Sequence, residues 1–257
     1  MNRIEATFMR LKSEGRKALV GFLMGGDPTL EASEAICREA LDNGVDILEL
    51  GVPFSDPTAD GPVIQAAGRR ALAAGMTVSK SLELVRRLRK DYDAPIVLFG
   101  YVNPLFVHGY ELVAKEAAEA GVDALLVVDL PFEESGELRG HLDKAGLDFI
   151  PLIAPTTKEN RMATVLKGAR GFVYYIMVKG VTGARVAMPT GVAEHLGLLR
   201  KSTRLPLVAG FGVSNGAQAR AAAEYADGVV VGSALVVAAM EGRLAPFVRE
   251  LSAALRG

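Results

Sequence analysis

Apolar residues in this chain gather in short runs, and between the runs they recur at three- and four-residue spacing. ALVGFLM (18–24), DILELGV (46–52), PIVLFGY (95–101), ALLVVDL (124–130), DFIPLIA (148–154), GFVYYIMV (171–178), PLVAGFG (206–212) and GVVVGS (228–233) are too short for helices and rich in branched aliphatic residues. Such runs read as strands buried on both faces. Between them, stretches such as Ala32, Ile36, Ala40 and Leu41 keep helical spacing, and Pro28 with Thr29 opens that first helix. Pro62 begins a helix over 63–74, and the helix over 78–92 carries a basic solvent face of Arg86, Arg87, Arg89 and Lys90. An amphipathic leading helix holds Ile4, Phe8 and Leu11 on one stripe, NPLF (103–106) reads as a turn, and Thr157 reads as a helix cap.

Eight strand–helix units within 257 residues predict an α/β fold, a single (β/α)8 TIM barrel over residues 1–257 with an extra N-terminal helix. An open doubly wound sheet competes with it. Its support is Gly210-Phe211-Gly212 after a strand with Gly216 beyond, although that glycine spacing does not match the dinucleotide fingerprint. Half the residues are apolar and the formal net charge is −1, which gives no bulk attraction to nucleic acid or an anionic membrane. The lone cysteine, Cys37, sits in a helical pattern and reads as a buried core thiol. No apolar run approaches a membrane span and the N-terminus lacks a signal-peptide pattern, so a cytoplasmic protein is expected. His108 reads as a turn residue and His141 and His195 as helix residues. They have no metal-ligand spacing, and no nucleophile elbow is visible.

Chemistry concentrates at the ends of the runs, where a barrel of this kind builds its site. Glu49 lies in the second run, four residues before Pro53. A carboxylate there is costly unless it is paired, protonated or employed, so it is either one half of a buried ion pair or a working acid–base group. The loop that follows, PFSDPTADGP, carries Asp60 near its far end. One acid fixed on a strand and a second on the next loop suit general acid–base work on one small substrate. Tyr101, Asn103, Asp129, Tyr174, Tyr175 and Lys179 stand at or just beyond other strand ends. Glycine-bearing loops after strands six to eight make Gly183, Gly212, Gly232 and Ser233 phosphate candidates, because backbone N–H groups there can approach oxygens closely. Close barrel packing is the other use of those glycines.

ELGVPFSDPTADGPVIQ (49–65), GDP (26–28), VVDLPFEES (127–135), GVTGAR (180–185) and GFGVS (210–214) together resemble the alpha chain of tryptophan synthase, in matching order over nearly the whole chain. The resemblance implies a lyase of tryptophan biosynthesis that splits indole-3-glycerol phosphate by retro-aldol cleavage into indole and glyceraldehyde 3-phosphate. It implies no cofactor in this chain. Pyridoxal phosphate is expected in a beta-chain partner that receives the indole through a tunnel, within an allosteric alpha2beta2 heterotetramer. On the same resemblance Glu49 shuttles protons and Asp60 stabilises positive charge at the indole nitrogen. Phe22 and Ile64 contact the ring, and Tyr101 and Tyr174 line the site. Gly183, Phe211, Gly212, Gly232 and Ser233 cradle the phosphate, and Thr182 meets Asp60 on closure. Pro53, Phe54, Ser55, Asp56, Pro57, Asn103, Pro104, Asp129 and Pro131 form the partner surface. Met24, Met177 and Lys179 depart from the family pattern, and Lys179 is expected near the phosphate or the lid. Lys179 also supports an alternative, a Schiff-base aldolase acting on a sugar phosphate. A second alternative is a non-catalytic barrel kept as an allosteric subunit.

Overall fold

The computed structural model describes residues 1–176, 191–210 and 212–256. The strands are β1 (Ala18–Met24), β2 (Ile47–Gly51), β3 (Ile96–Gly100), β4 (Ala124–Val127), β5 (Asp148–Phe149), β6 (Leu152–Ile153), β7 (Val173–Ile176), β8 (Leu207–Gly210) and β9 (Gly228–Val231). Around them run α1 (Arg3–Ser13), α2 (Leu30–Asp42), α3 (Pro62–Ala73), α4 (Val78–Leu88), α5 (Val102–His108), α6 (Tyr110–Ala120), α7 (Gly136–Ala145), α8 (Glu159–Val165), α9 (Val192–Ser202), α10 (Gly216–Ala223), α11 (Ser233–Met240) and α12 (Leu244–Ala254). All strand pairs are parallel, in the order β5-β4-β3-β2-β1-β9-β8-β7-β6.

The expected eighth-fold barrel therefore appears with nine strands, and one proline accounts for the difference. Pro151 has no N–H to give to a ladder, so the run 148–154 is divided into β5 and β6. The chain nevertheless bridges the two halves. The Ile150 N–H donates to the Leu125 carbonyl at 2.9 Å, and the Pro151 carbonyl accepts from the Tyr174 N–H at 3.0 Å. One extended segment thus joins β4 on one side to β7 on the other and closes the barrel. The open doubly wound alternative is overturned.

Side chains alternate between two cores. Val20, Ile47, Val97, Leu126, Val208 and Val230 fill the barrel interior, while Leu19, Leu48, Leu98 and Leu125 pack outward beneath the helices. The apolar stripe of α1 (Ile4, Phe8, Leu11) plugs the N-terminal end of the interior, with Phe8 and Phe172 rings 6.0 Å apart. The rim at that end is tied by aspartates that precede strands. Asp46 accepts from the Leu19 N–H at 3.0 Å, Asp123 from Ile96 and Asp227 from Leu207, both at 2.8 Å. Each also pairs with arginine, through Arg16, Arg89 and Arg200 respectively. Stability is thus invested at the N-terminal end, and the C-terminal end is left for chemistry.

Three local expectations change. NPLF is not a turn but lies within α5, where Pro104 falls in the first helical turn and costs no intrahelical bond. His108 consequently ends α5 and meets Glu116 at 2.7 Å. Thr157 does not cap α8, whose N-cap is Lys158; its hydroxyl instead accepts from the Ala154 N–H at 3.1 Å.

Candidate active site at the C-terminal mouth

Glu49 occupies the middle of β2, in register with Phe22 on β1 and Val97 on β3. Inward alternation carries it into the last interior layer before the mouth. Its residue is 0% exposed, and among the described residues neither carboxyl oxygen has a hydrogen-bond partner. Among the described residues the ion-pair reading of Glu49 finds no partner. Burial without compensation disfavours the charged form, and it lifts the Glu49 carboxyl to about 8. At neutral pH this group is a protonated acid with a free hydrogen to give.

Glu49 opens into a cavity of about 540 Å³. Phe22, Ile64, Phe99 and Tyr174 wall its inner part, with the Phe22 and Phe99 rings 5.0 Å apart and nearly perpendicular. Gly51 makes this arrangement possible, since a Cβ there would stand 2.7 Å from Phe22 Cζ. The Tyr174 ring lies against Gly210, where a Cβ would stand 3.2 Å from the hydroxyl. Burial, then the nearby charges of Glu49 and Asp60, holds the Tyr174 hydroxyl well above the usual phenol range. Tyr174 is thus close to both acids.

Asp60 belongs to the loop between β2 and α3 and is not part of the cavity wall, though it acts on Tyr174, which is. Burial raises its carboxyl, and the Tyr101 hydroxyl, donating to it, opposes the rise. The same Tyr101 oxygen accepts the Ala59 N–H at 3.0 Å. Tyr101 is 3% exposed and its ring is 5.4 Å from that of Phe54. One buried tyrosine therefore fixes the loop segment that presents Asp60. Gln65 secures the other side by donating to the Asp60 carbonyl at 3.0 Å.

At the far end of the cavity are Gly212, Gly232 and Ser233. Gly212 has φ +65°, the left-handed region that glycine enters without strain. Gly232 is the N-cap of α11 and supplies no side chain to satisfy the first-turn donors. Its carbonyl accepts from Leu235 and Val236, which leaves the Ser233 and Ala234 N–H groups without a partner inside the helix. Unpaired N–H groups at a positive helix end suit an anion. A flat apolar slot with a protonated acid, a second carboxyl close to Tyr174 and an anion cradle beyond can hold and protonate an aromatic ring that carries a phosphorylated tail.

Of the residues singled out from sequence, the cavity wall brings together Phe22, Glu49, Ile64, Tyr174, Gly212, Gly232 and Ser233; Asp60 and Tyr101 do not line it, but Asp60 is near enough to raise the Tyr174 hydroxyl and is bonded to Tyr101. Thr182, Gly183 and Phe211, like Met177 and Lys179, lie outside the described residues. Ser55, Asp56, Asn103, Asp129 and Pro131 are exposed, Phe54, Pro57 and Pro104 half-buried, and Pro53 buried. Asp129 also has an internal task, accepting the Val102 N–H at the start of α5 at 2.8 Å. Beside Asn103 the structure exposes Phe106 and Val107, which sequence reading passed over because the segment was taken as a turn. Phe99 and Arg243 were also missed. Inward alternation with Val97 would have found Phe99; no sequence signal marks Arg243. His195 is held by the Tyr175 hydroxyl at 3.0 Å and the Thr157 carbonyl at 2.8 Å. Among the described residues no group of histidine, cysteine and acidic side chains is arranged to bind a metal ion.

Known proteins share both this sequence and this geometry. The family model described as tryptophan synthase alpha chain matches residues 8–249. The tryptophan synthase alpha chain of Geobacter sulfurreducens is 52% identical over 236 residues, 92% of this chain and 89% of that one. The solved alpha subunit from Legionella pneumophila superposes with a TM-score of 0.91 at 36% identity, covering 99% of this chain and 98% of that one. A chain of Mycobacterium tuberculosis tryptophan synthase gives a TM-score of 0.93 at 36% identity, covering 100% and 99%. With the match running from the N-terminal helix to α12, the chain belongs to the tryptophan synthase alpha chain family.

Proposed function

We propose that Glu49 and Asp60 are the working acids of this chain, with Phe22, Ile64 and Tyr174 holding an indole ring and Gly212, Gly232 and Ser233 receiving a phosphate. The activity they serve is the family's. The chain is a lyase that cleaves indole-3-glycerol phosphate to indole and glyceraldehyde 3-phosphate in tryptophan biosynthesis. Membership gives no support to the Schiff-base aldolase or to a barrel without catalysis.

The reading rests on one observation above the others: a fully buried carboxyl with both oxygens unpaired, aimed into an apolar cavity. Protonated Glu49 delivers its proton to carbon 3 of the indole, which makes the ring an electron sink. The resulting carboxylate takes the proton of the glycerol hydroxyl next to the breaking bond, and the electrons of that carbon–carbon bond flow into the ring. Indole and the aldehyde separate, and Glu49 is again protonated. Positive charge on the indole nitrogen rises as carbon 3 is protonated, and an ionised Asp60 stabilises it in a poorly hydrated pocket. Tyr101 favours this ionised form through its hydrogen bond.

The partner is the tryptophan synthase beta chain, which carries the pyridoxal phosphate, in an alpha2beta2 assembly; passage of indole from this chain to that one is part of the proposal. Its contact surface on this chain is Pro53–Pro57, Asn103-Pro104 and Asp129–Pro131, joined by Phe106 and Val107. Among the described residues no helix is long and apolar enough to cross a membrane, and the location proposed for this biosynthetic enzyme is the cytoplasm. The continuous sheet supports reading residues 1–257 as one domain. Turnover of indole-3-glycerol phosphate by the full chain and its Glu49→Gln variant, with and without a beta chain, tests the assignment. Equal rates in the two proteins would end the role given to Glu49.

A further inference from the structure

The cavity's lining extends beyond the residues given to the ring and the phosphate. Past Gly232 and Ser233 it continues as a trough along α11, walled by Val213, Val237, Ala238 and Phe247, and it reaches Arg243 just beyond the helix. The α11 residues that line it, from Ser233 to Ala238, span about 8 Å of helix axis at ~1.5 Å rise per residue. Among the described residues, Glu49 and Arg243 are the charged side chains that line the cavity, and Glu49 is neutral at pH 7. The trough therefore carries one cation, at its outer end.

We propose that this trough is the doorway for the phosphorylated ligand, and that Arg243 steers that dianion along α11 to the glycine cradle. The inference rests on the site reading above and extends it to the route in and out. Two further observations favour it. Arg243 is exposed and, among the described residues, pairs with exposed Glu241, whose carboxylate accepts from Nε at 2.8 Å and from one terminal nitrogen. An exposed pair of this kind is weak and exchanges readily. The second observation is the sheet order. The surface assigned to the beta chain is carried by the loops after β2, β3 and β4, while the trough is carried by β8, β9, α11 and α12, on the other side of β1. Indole leaves toward the partner. On this reading the charged fragment has its own exit, on the other side of β1 from the surface assigned to the beta chain.

Steering changes association rates and depends on salt. The chain contains no tryptophan, so indole propanol phosphate can be followed by its own indole emission in stopped flow with the full chain. At about 0.01 M salt, one cation acting on a dianion from about 10 Å is worth about threefold in association rate. Arg243→Gln should lose about threefold and Arg243→Glu about ninefold, while Glu241→Gln should gain about threefold. Dissociation should change less than about twofold, and the differences should vanish near about 1 M salt. The uncharged indole propanol should associate equally with every variant. Association rates for the phosphate that agree within about 1.5-fold at low salt overturn the doorway. So does an equal loss for the uncharged analogue, which would mark a structural role. Failure of the unaltered chain to bind either ligand would overturn the site reading itself.

Discussion

Glu49→Gln should make this protein more stable and nearly inactive at once. The exchange keeps size and shape and removes only the ability to ionise. In the unfolded chain a glutamate titrates near its ordinary value of 4.5, whereas in the fold Glu49 titrates at about 8. Between these values the unfolded state has lost the proton and the folded state keeps it, so stability falls as pH rises. It falls by about 1.4 kcal/mol per pH unit, and the slope ends above the folded value. Below the unfolded value this burden is absent. From pH 5 to pH 7 the unaltered chain should therefore lose about 2.5 kcal/mol that Glu49→Gln does not lose. For a chain of this length that is about 5–10 °C in thermal midpoint. The assay is a pair of midpoint-versus-pH profiles by calorimetry, with cleavage of indole-3-glycerol phosphate measured on the same samples. Cleavage should drop by about 10²–10⁴ in the variant. Parallel midpoint profiles would refute the raised carboxyl, and retained cleavage would refute the proton transfer.

Asp60→Asn keeps the loop's shape but removes its charge, and should lower kcat by about 10²–10³ with the thermal midpoint little changed; kcat within about threefold of the unaltered chain would count against charge stabilisation. Tyr101→Phe leaves the Ala59 N–H unpaired and removes the hydrogen bond that favours ionised Asp60. The acid limb of the pH–rate profile should move to higher pH, and an unmoved limb would separate Tyr101 from Asp60. Gly51→Ala places a Cβ 2.7 Å from Phe22 Cζ and 3.1 Å from Met24 Sδ. It should cost about 1–3 kcal/mol by overpacking and raise KM for indole in the reverse condensation while sparing KM for the aldehyde phosphate. An unchanged indole KM would show that Phe22 does not wall the ring site.

The barrel was legible because doubly buried strands write themselves as short aliphatic runs, and eight such runs alternate with helical spacing from Ala18 onward. What the runs conceal is pairing. Nothing in DFIPLIA except Pro151 indicates that it divides in two, and nothing there says that its halves face β4 and β7. NPLF misled because proline and asparagine are turn formers, while the carboxylate that starts α5 comes from Asp129, twenty-seven residues away. Glu49 stood out since a carboxylate inside an aliphatic run has to be explained. The sequence left its ion-pair reading open, because a partner could have come from any other strand. Tyr101 was noticed as a strand-end residue, but its hold on Ala59 and Asp60 depends on where the loop folds back. Arg243 carried no signal at all. It follows the last strand by more than ten residues, and only the packing of α11 against the mouth brings it to the cavity.

The most direct test of the central claim is a crystal structure of the chain with indole propanol phosphate bound. The account predicts the indole between Phe22 and Ile64, its carbon 3 facing the Glu49 carboxyl, its nitrogen toward Asp60 and its phosphate on the amides around Gly212, Gly232 and Ser233. A ring bound with carbon 3 turned away from Glu49, or a phosphate seated away from those amides, would contradict it.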